Sequence, residues 1–236
     1  MVKENLARVR TSIPEGVTLV AVSKFHPIEA LQEAYDAGQR IFGESRENEF
    51  RQKVAALPED IEWHFIGHLQ TNKVKYVAPY VALIHSVDSE RLLDEVERQA
   101  VRFEQDRIAR FGQDQAPICI LLQLHVAQEE TKSGFAPDEL LELLSHSKIA
   151  ERWPHLRLKG LMGMASFVDD PAQWRKEFRQ IMACHKALLE GPLAEQGITE
   201  DDFGILSFGM SEDYRVAIEE GANMVRVGSA IFGARG

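Results

Sequence analysis

The sequence predicts an α/β fold, a single (β/α)8 TIM barrel, and three observations carry the prediction. Short β-branched runs alternate with longer stretches of helical spacing. The alternation repeats about eight times, the unit count of that barrel. The length of 236 residues is close to the roughly 250 that such a barrel takes. Linkers and low-complexity tracts are absent, so residues 1–236 read as one domain. An open doubly wound sheet is the competing arrangement, and the regular unit count argues against it.

Thr18–Ser23 (TLVAVS) is a continuous apolar strand, followed by helical spacing over Ile28–Ala37 with Gly38 as its stop. Ile41–Ser45 is the second strand and leads into a polar helix around Phe50–Leu57. Glu62–Gly67 (EWHFIG) is the third, with a helix near Asn72–Ala78, and Leu83–Asp88 is the fourth. Ser89 can cap the next helix, in which Leu93, Val96, Ala100 and Phe103 share a face. The polar stretch Asp106–Ala116 reads as a loop. Ile118–Val126 is the fifth strand, and Pro137 suits the first turn of a helix over Asp138–Arg152. Arg157–Ser166 holds the sixth, before an apolar stripe formed by Phe178, Ile181, Met182, His185, Leu188 and Leu189. Ile205–Met210 is the seventh, Glu212–Glu220 a short helix closed by Gly221, and Met224–Phe232 the eighth. No helix is expected after it, and Lys3–Arg10 is expected to supply the missing outer helix from the other end.

Composition narrows the function. With 44% hydrophobic and 27% charged residues the chain is of ordinary globular type. A formal net charge of −10 repels nucleic-acid backbones, yet leaves room for a local basic pocket around a small anion. No apolar run approaches the ~20 residues of a membrane helix, and no apolar segment follows the opening Met-Val-Lys-Glu-Asn. Cys119 and Cys184 stand apart and read as reduced, small buried side chains. A cytoplasmic protein without nucleic-acid or membrane partners is therefore expected, and its charge suits a monomer or a weak dimer alike. Metal-ligand spacings such as H-E-x-x-H, a G-x-S-x-G elbow and a P-loop are all missing.

In a barrel the functional face lies at the C-terminal ends of the strands. The first strand ends Val22-Ser23-Lys24, which places an ammonium at the mouth of an apolar core. Desolvation there depresses an amine's pKa and suits it to Schiff-base chemistry, although a lysine after a strand, taken alone, is usually a solvated surface residue. Support comes from the other end of the chain. The seventh strand ends Ser207-Phe208-Gly209-Met210-Ser211, with Ser211 opening a helix, and the eighth runs Val225-Arg226-Val227-Gly228-Ser229. Small-residue turns after the last two strands form the usual phosphate cup of this fold. Glycine admits close backbone approach, serine adds a hydroxyl and the helix N-terminus adds its dipole. Ser211 read singly is equally a plain N-cap ahead of Glu212 and Asp213; the paired turns favour the anion. Arg226 among valines is either bridged within the core or pointed at a ligand. Strand alternation puts it on the same face as Gly228, which favours the ligand. His64 reads as a satisfied core histidine, and His68, Gln70, Asn72 and Lys73 as a solvated loop just past the third strand.

The segments Leu19–Lys24 (LVAVSK), Phe42–Glu44 (FGE), Trp63–Lys73 (WHFIGHLQTNK), Glu130–Gly134 (ETKSG), Gly160–Met164 (GLMGM), Ser207–Glu212 (SFGMSE) and Val225–Arg235 (VRVGSAIFGAR) occur in this order along nearly the whole chain. In them the chain resembles the pyridoxal phosphate homeostasis protein family, whose barrel is similar to the N-terminal domain of alanine racemase, fold type III among pyridoxal 5′-phosphate (PLP) proteins. The resemblance implies that Lys24 carries PLP as a Schiff base. It further implies that Met210, Ser211, Gly228 and Ser229 hold the phosphate, and that Arg226 faces the pyridine nitrogen. One departure is Ser45, where the family often has Asn after Phe-Gly-Glu.

An arginine at the pyridine nitrogen does not donate the formal ring proton that makes PLP a strong electron sink. Racemases of the related fold share that arginine but append a β-rich domain bearing a tyrosine acid/base, and no such domain is expected here. The expected protein is thus a PLP carrier that serves intracellular PLP homeostasis and has no catalytic residue of its own, with apo PLP-dependent enzymes as candidate partners. A PLP-dependent racemase or decarboxylase is the alternative. A third reading is a barrel enzyme that uses Lys24 on a sugar phosphate.

Overall fold

The computed structural model describes residues 1–112, 115–129 and 133–233. Eight strands, β1 (Thr18–Val22), β2 (Ile41–Glu44), β3 (Glu62–Phe65), β4 (Leu83–Val87), β5 (Ile118–Gln123), β6 (Leu156–Met162), β7 (Ile205–Ser207) and β8 (Met224–Val227), close into one barrel in chain order. Every neighbouring pair is parallel, and β8 returns to β1 with Val20 opposite Arg226. The predicted (β/α)8 barrel is the observed fold.

Helices surround the barrel: α1 (Val2–Thr11), α2 (Ile28–Asp36), α3 (Glu47–Ala56), α4 (Val74–Val77), α5 (Glu90–Arg102), α6 (Glu104–Phe111), α7 (Pro137–His146), α8 (Ile149–Arg152), α9 (Pro171–Glu190), α10 (Tyr214–Glu219) and α11 (Ser229–Phe232). α9 starts at Pro171 because Asp170 caps it, its Oδ1 accepting the Ala172 N–H at 2.9 Å. Of its predicted stripe Phe178, Ile181, His185 and Leu188 are buried and Met182 and Leu189 half-buried, with Phe178 stacked on Phe208 behind β7 at 4.9 Å between ring centroids. Most of the core lies between strands and helices. A smaller cluster of Val20, Leu83, Leu121, Met162 and Met224 fills the barrel interior.

Four expectations need correction. Asp106–Ala116 is largely helical: α6 runs to Phe111, and Gly112 stops it in the left-handed conformation at φ +63°. Its polar composition hides a buried arginine, for Arg107 donates to the carbonyls of Ala78 (2.6 Å), Val81 (2.9 Å), Ala116 (2.8 Å) and Pro117 (2.9 Å). The helix expected over Asp138–Arg152 is two, α7 and α8, because Ser147 turns to extended geometry between them. Strand eight stops at Val227, and the turn at Gly228 starts α11, so a short helix does follow it. α1 also takes its expected place, with Asn5 Nδ2 donating to the α11 carbonyl of Ile231 at 3.1 Å. Finally, Ser211 does not open a helix: α10 begins at Tyr214, behind Asp213.

Candidate functional site

A cavity of about 510 Å3 opens at the C-terminal ends of the strands, within the roughly 300–1,000 Å3 of small-molecule sites. Lys24, Met210, Ser211, Arg226, Gly228 and Ser229 all line it. The structure therefore brings together every site residue chosen from the sequence. The opposite wall is the segment from Met164 to Asp169 after β6, with Trp174 of α9. Ser45, the departure from the family pattern, lines the cavity too.

Two backbone turns build one side. Gly209 holds φ +96°, and a Cβ there would stand 2.6 Å from that of Ala217, so glycine is required by conformation and by space. The Met210 N–H donates to Asp213 Oδ1 at 2.5 Å, and the Met210 carbonyl accepts the Tyr214 N–H at 2.8 Å. Ser211 Oγ accepts the Gly228 N–H at 3.1 Å, which ties the two turns together at the edge of the cavity. Gly228 sits close against β1, where a Cβ would meet the Val22 carbonyl oxygen at 3.0 Å. Ser229 is exposed and heads α11, whose first N–H groups lie beyond the reach of intrahelical acceptors.

Arg226 forms the floor and is 3% exposed. Its Nη1 donates to the carbonyl and to Oγ of Ser207, both at 2.7 Å, and its Nη2 donates to the Gly163 carbonyl at 3.0 Å. These partners are neutral oxygens. Burial lowers the guanidinium to about 10, still charged at neutral pH, while the Asp213 carboxyl is raised by desolvation against the Met210 N–H. Arg226 is thus a buried cation at the base of the cavity, hydrogen-bonded to neutral oxygens and supported through space by the Asp213 carboxylate.

Sequence reasoning missed what lies beneath. Ser207 Oγ is 3.0 Å from Nδ1 of His85, whose Nε2 is 2.9 Å from Nδ1 of His64. One proton ordering satisfies the run: Arg226 donates to Ser207, Ser207 to His85 and His85 to His64. Desolvation lowers His64 to about 3 and His85 well below its ordinary value, so both rings are neutral. His64 is the satisfied core histidine expected. His85 left only one signal in the sequence, a histidine in the apolar run of the fourth strand. Asp213, Ile66 and the wall from Met164 to Trp174 also went unrecognised as lining residues.

Beyond Ile66, the segment with His68, Gln70, Asn72 and Lys73 stays outside the cavity, as expected. His68 Nδ1 meets Asp88 at 3.0 Å, and Lys73 pairs with Glu47 at 2.5 Å. In the ETKSG segment, Glu130, Thr131 and Lys132 lie outside the described residues, as do Ala234 and Arg235 of the last motif. Among the described residues no group of three His, Cys, Asp or Glu side chains is placed to hold a metal. No helix among them is long and apolar enough to cross a membrane.

The family described as alanine racemase, N-terminal domain, matches residues 1–236. The pyridoxal phosphate homeostasis protein of Aquifex aeolicus is 38% identical over 218 residues, 92% of this chain and 86% of that one. PipY of Synechococcus elongatus, solved with PLP bound, superposes with a TM-score of 0.81 at 31% identity, covering 99% of this chain and 100% of that one. Alanine racemase of Enterococcus faecalis shares the fold alone, with a TM-score of 0.68 at 15% identity over 57% of its length. The chain belongs to the pyridoxal phosphate homeostasis protein family, within the wider group built on the alanine racemase N-terminal domain.

Proposed function

We propose that this chain is one PLP-binding domain that holds PLP as a Schiff base on Lys24 and serves intracellular PLP homeostasis. The observation that carries the reading is the donor set of this cavity: an amine, two small-residue turns and a buried cation around an open volume. PLP combines an aldehyde, a phosphate and a heteroaromatic ring, and each finds a complementary group. Met210, Ser211, Gly228 and Ser229 form the phosphate side: the two serines offer hydroxyls and the first N–H groups of α11 add donors, while Met210 and Gly228 shape the turns that place them. Arg226 faces the ring nitrogen as a hydrogen-bond donor, and the wall around Met164 and Trp174 offers apolar surface to the ring face. PipY, solved with PLP bound, supports the assignment by its likeness over the whole chain.

When bound, PLP supplies a reactive aldehyde and an electron-accepting ring. Arg226 stays protonated at neutral pH, so it has no proton to accept and donates one hydrogen bond. That leaves the ring nitrogen without a formal positive charge, which disfavours carbanion chemistry. We therefore read the protein as a carrier in the cytoplasm, with apo PLP-dependent enzymes as recipients of its PLP. The test has two arms. PLP titration is expected to give a visible Schiff-base absorbance that Lys24→Ala abolishes. Amino acids incubated with the loaded protein in deuterated buffer are expected to exchange α-protons no faster than with free PLP. Exchange at enzymatic rates would move the assignment to a racemase or decarboxylase.

A further inference from the structure

Lys24 lies between two residues whose backbones are held by one ionic cluster, buried at Glu44 and Lys53 and partly exposed at Glu49. Lys53, on α3, is 4% exposed. Its Nζ donates to the Ser23 carbonyl at 2.8 Å, to Glu44 Oε1 at 2.7 Å and to Glu49 Oε2 at 3.4 Å. Glu44, the last residue of β2, is fully buried, and the same Oε1 accepts the Ser23 hydroxyl at 2.6 Å. Glu49 Oε2 accepts the Phe25 N–H at 2.7 Å. The residue before Lys24 is thus held at its carbonyl and its hydroxyl, and the residue after it at its N–H.

That grip falls where the backbone is strained. Phe25 has φ +68°, and no other non-glycine residue among those described has a positive φ. A bulky side chain persists in that region only where its surroundings over-determine it. The cluster is also an uneconomical way to fill a core. Glu44 Oε2 is buried without a partner, and desolvation raises the Glu44 carboxyl even beside Lys53. Apolar residues of similar volume commonly serve stability as well as a buried ion pair or better. The arrangement is therefore explained by what it holds in place.

We propose that Glu44, Lys53 and Glu49 are positioning residues that fix the Ser23–Phe25 backbone and so aim the Lys24 amine into the cavity. This rests on the reading of Lys24 as the PLP lysine. A 1 Å misplacement costs about a hundredfold in a well-oriented reaction, and partial loosening of one strand end is expected to cost about tenfold. The experiment compares Lys53→Met, Glu49→Ala and Glu49→Gln with wild type and Lys24→Ala on the full chain. Two quantities are read: the rate of Schiff-base formation with PLP, and the equilibrium affinity for pyridoxine 5′-phosphate, which has no aldehyde and uses only the rest of the cavity.

Lys53→Met and Glu49→Ala are expected to slow Schiff-base formation about tenfold with pyridoxine 5′-phosphate affinity unchanged. Glu49→Gln keeps an acceptor oxygen for the Phe25 N–H and is expected to retain most of the rate. Glu49→Ala removes a partly exposed side chain, so the test stands if Lys53→Met does not fold. Wild-type rates in Glu49→Ala would overturn the proposal, as would equal losses for both ligands, which mark a merely structural role. If the wild-type absorbance persists in Lys24→Ala, the assignment of Lys24 itself falls, and the positioning role with it.

Discussion

Replacing His64 by Gln isolates a titration that the barrel interior suppresses. In the folded protein desolvation lowers His64 to about 3, against an ordinary value of 6.5. Between these limits the unfolded chain binds a proton that the folded chain refuses. The stability contributed by keeping His64 neutral is therefore complete above pH 6.5 and is lost as pH falls toward 3. At 1.36 kcal/mol per pH unit, moving from pH 7 to pH 4.5 costs about 2.5 kcal/mol through this one ring. The result depends little on the exact folded value, provided it lies below pH 4.5.

Urea unfolding of wild type and His64→Gln at both pH values measures the difference, with equal m-values confirming that the unfolded states compare. The variant is expected to be less stable at pH 7 by about 1–3 kcal/mol, since His85 Nε2 loses its partner at 2.9 Å. Wild type is expected to lose about 2.5 kcal/mol more than the variant on acidification, because carboxylate titrations are common to both. Equal losses in the two proteins would refute the claim that His64 is buried neutral beneath the cavity.

Arg226→Met removes all three guanidinium hydrogen bonds and the buried cation that lines the cavity, and equilibrium titration is expected to show PLP affinity reduced at least about tenfold, one charge-assisted hydrogen bond. Gly228→Ala places a Cβ 3.0 Å from the Val22 carbonyl oxygen and 3.2 Å from Val22 Cβ. It is expected to cost about 1–3 kcal/mol in urea unfolding and to weaken PLP binding through the displaced turn. Arg107→Met strands four carbonyls at the end of the barrel away from the cavity, and a loss of at least about 3 kcal/mol is expected, with PLP bound normally by the folded fraction.

The strand ends were readable because each is a local pattern. An apolar run closing on Lys24, and small-residue turns at Gly209–Ser211 and Gly228–Ser229, declare themselves within a few residues. Alternation along β8 also put Arg226 on the same face as Gly228, and both line the cavity. The floor was not readable, since Ser207 and His85 meet across 122 residues of chain. The grip on Ser23 by Lys53 spans 30 residues, and nothing in the polar pattern of α3 marks that lysine as buried. α6 escaped for the same reason: Arg107 looks solvated until the carbonyls of Ala78 and Val81 are folded against it. Asp213 was read only as a neighbour of a capping serine, whereas its carboxylate is itself the acceptor that shapes the Met210 turn.

The central claim is covalent and local, so borohydride reduction of the PLP-loaded protein followed by peptide mapping tests it most directly. Reduction locks a Schiff base as a stable pyridoxyl-lysine. The account predicts the label on the peptide containing Lys24, in stoichiometric yield, and its absence from the same peptide of the Lys24→Ala protein. Stoichiometric labelling at another lysine, or none on a protein that still retains PLP, would contradict it.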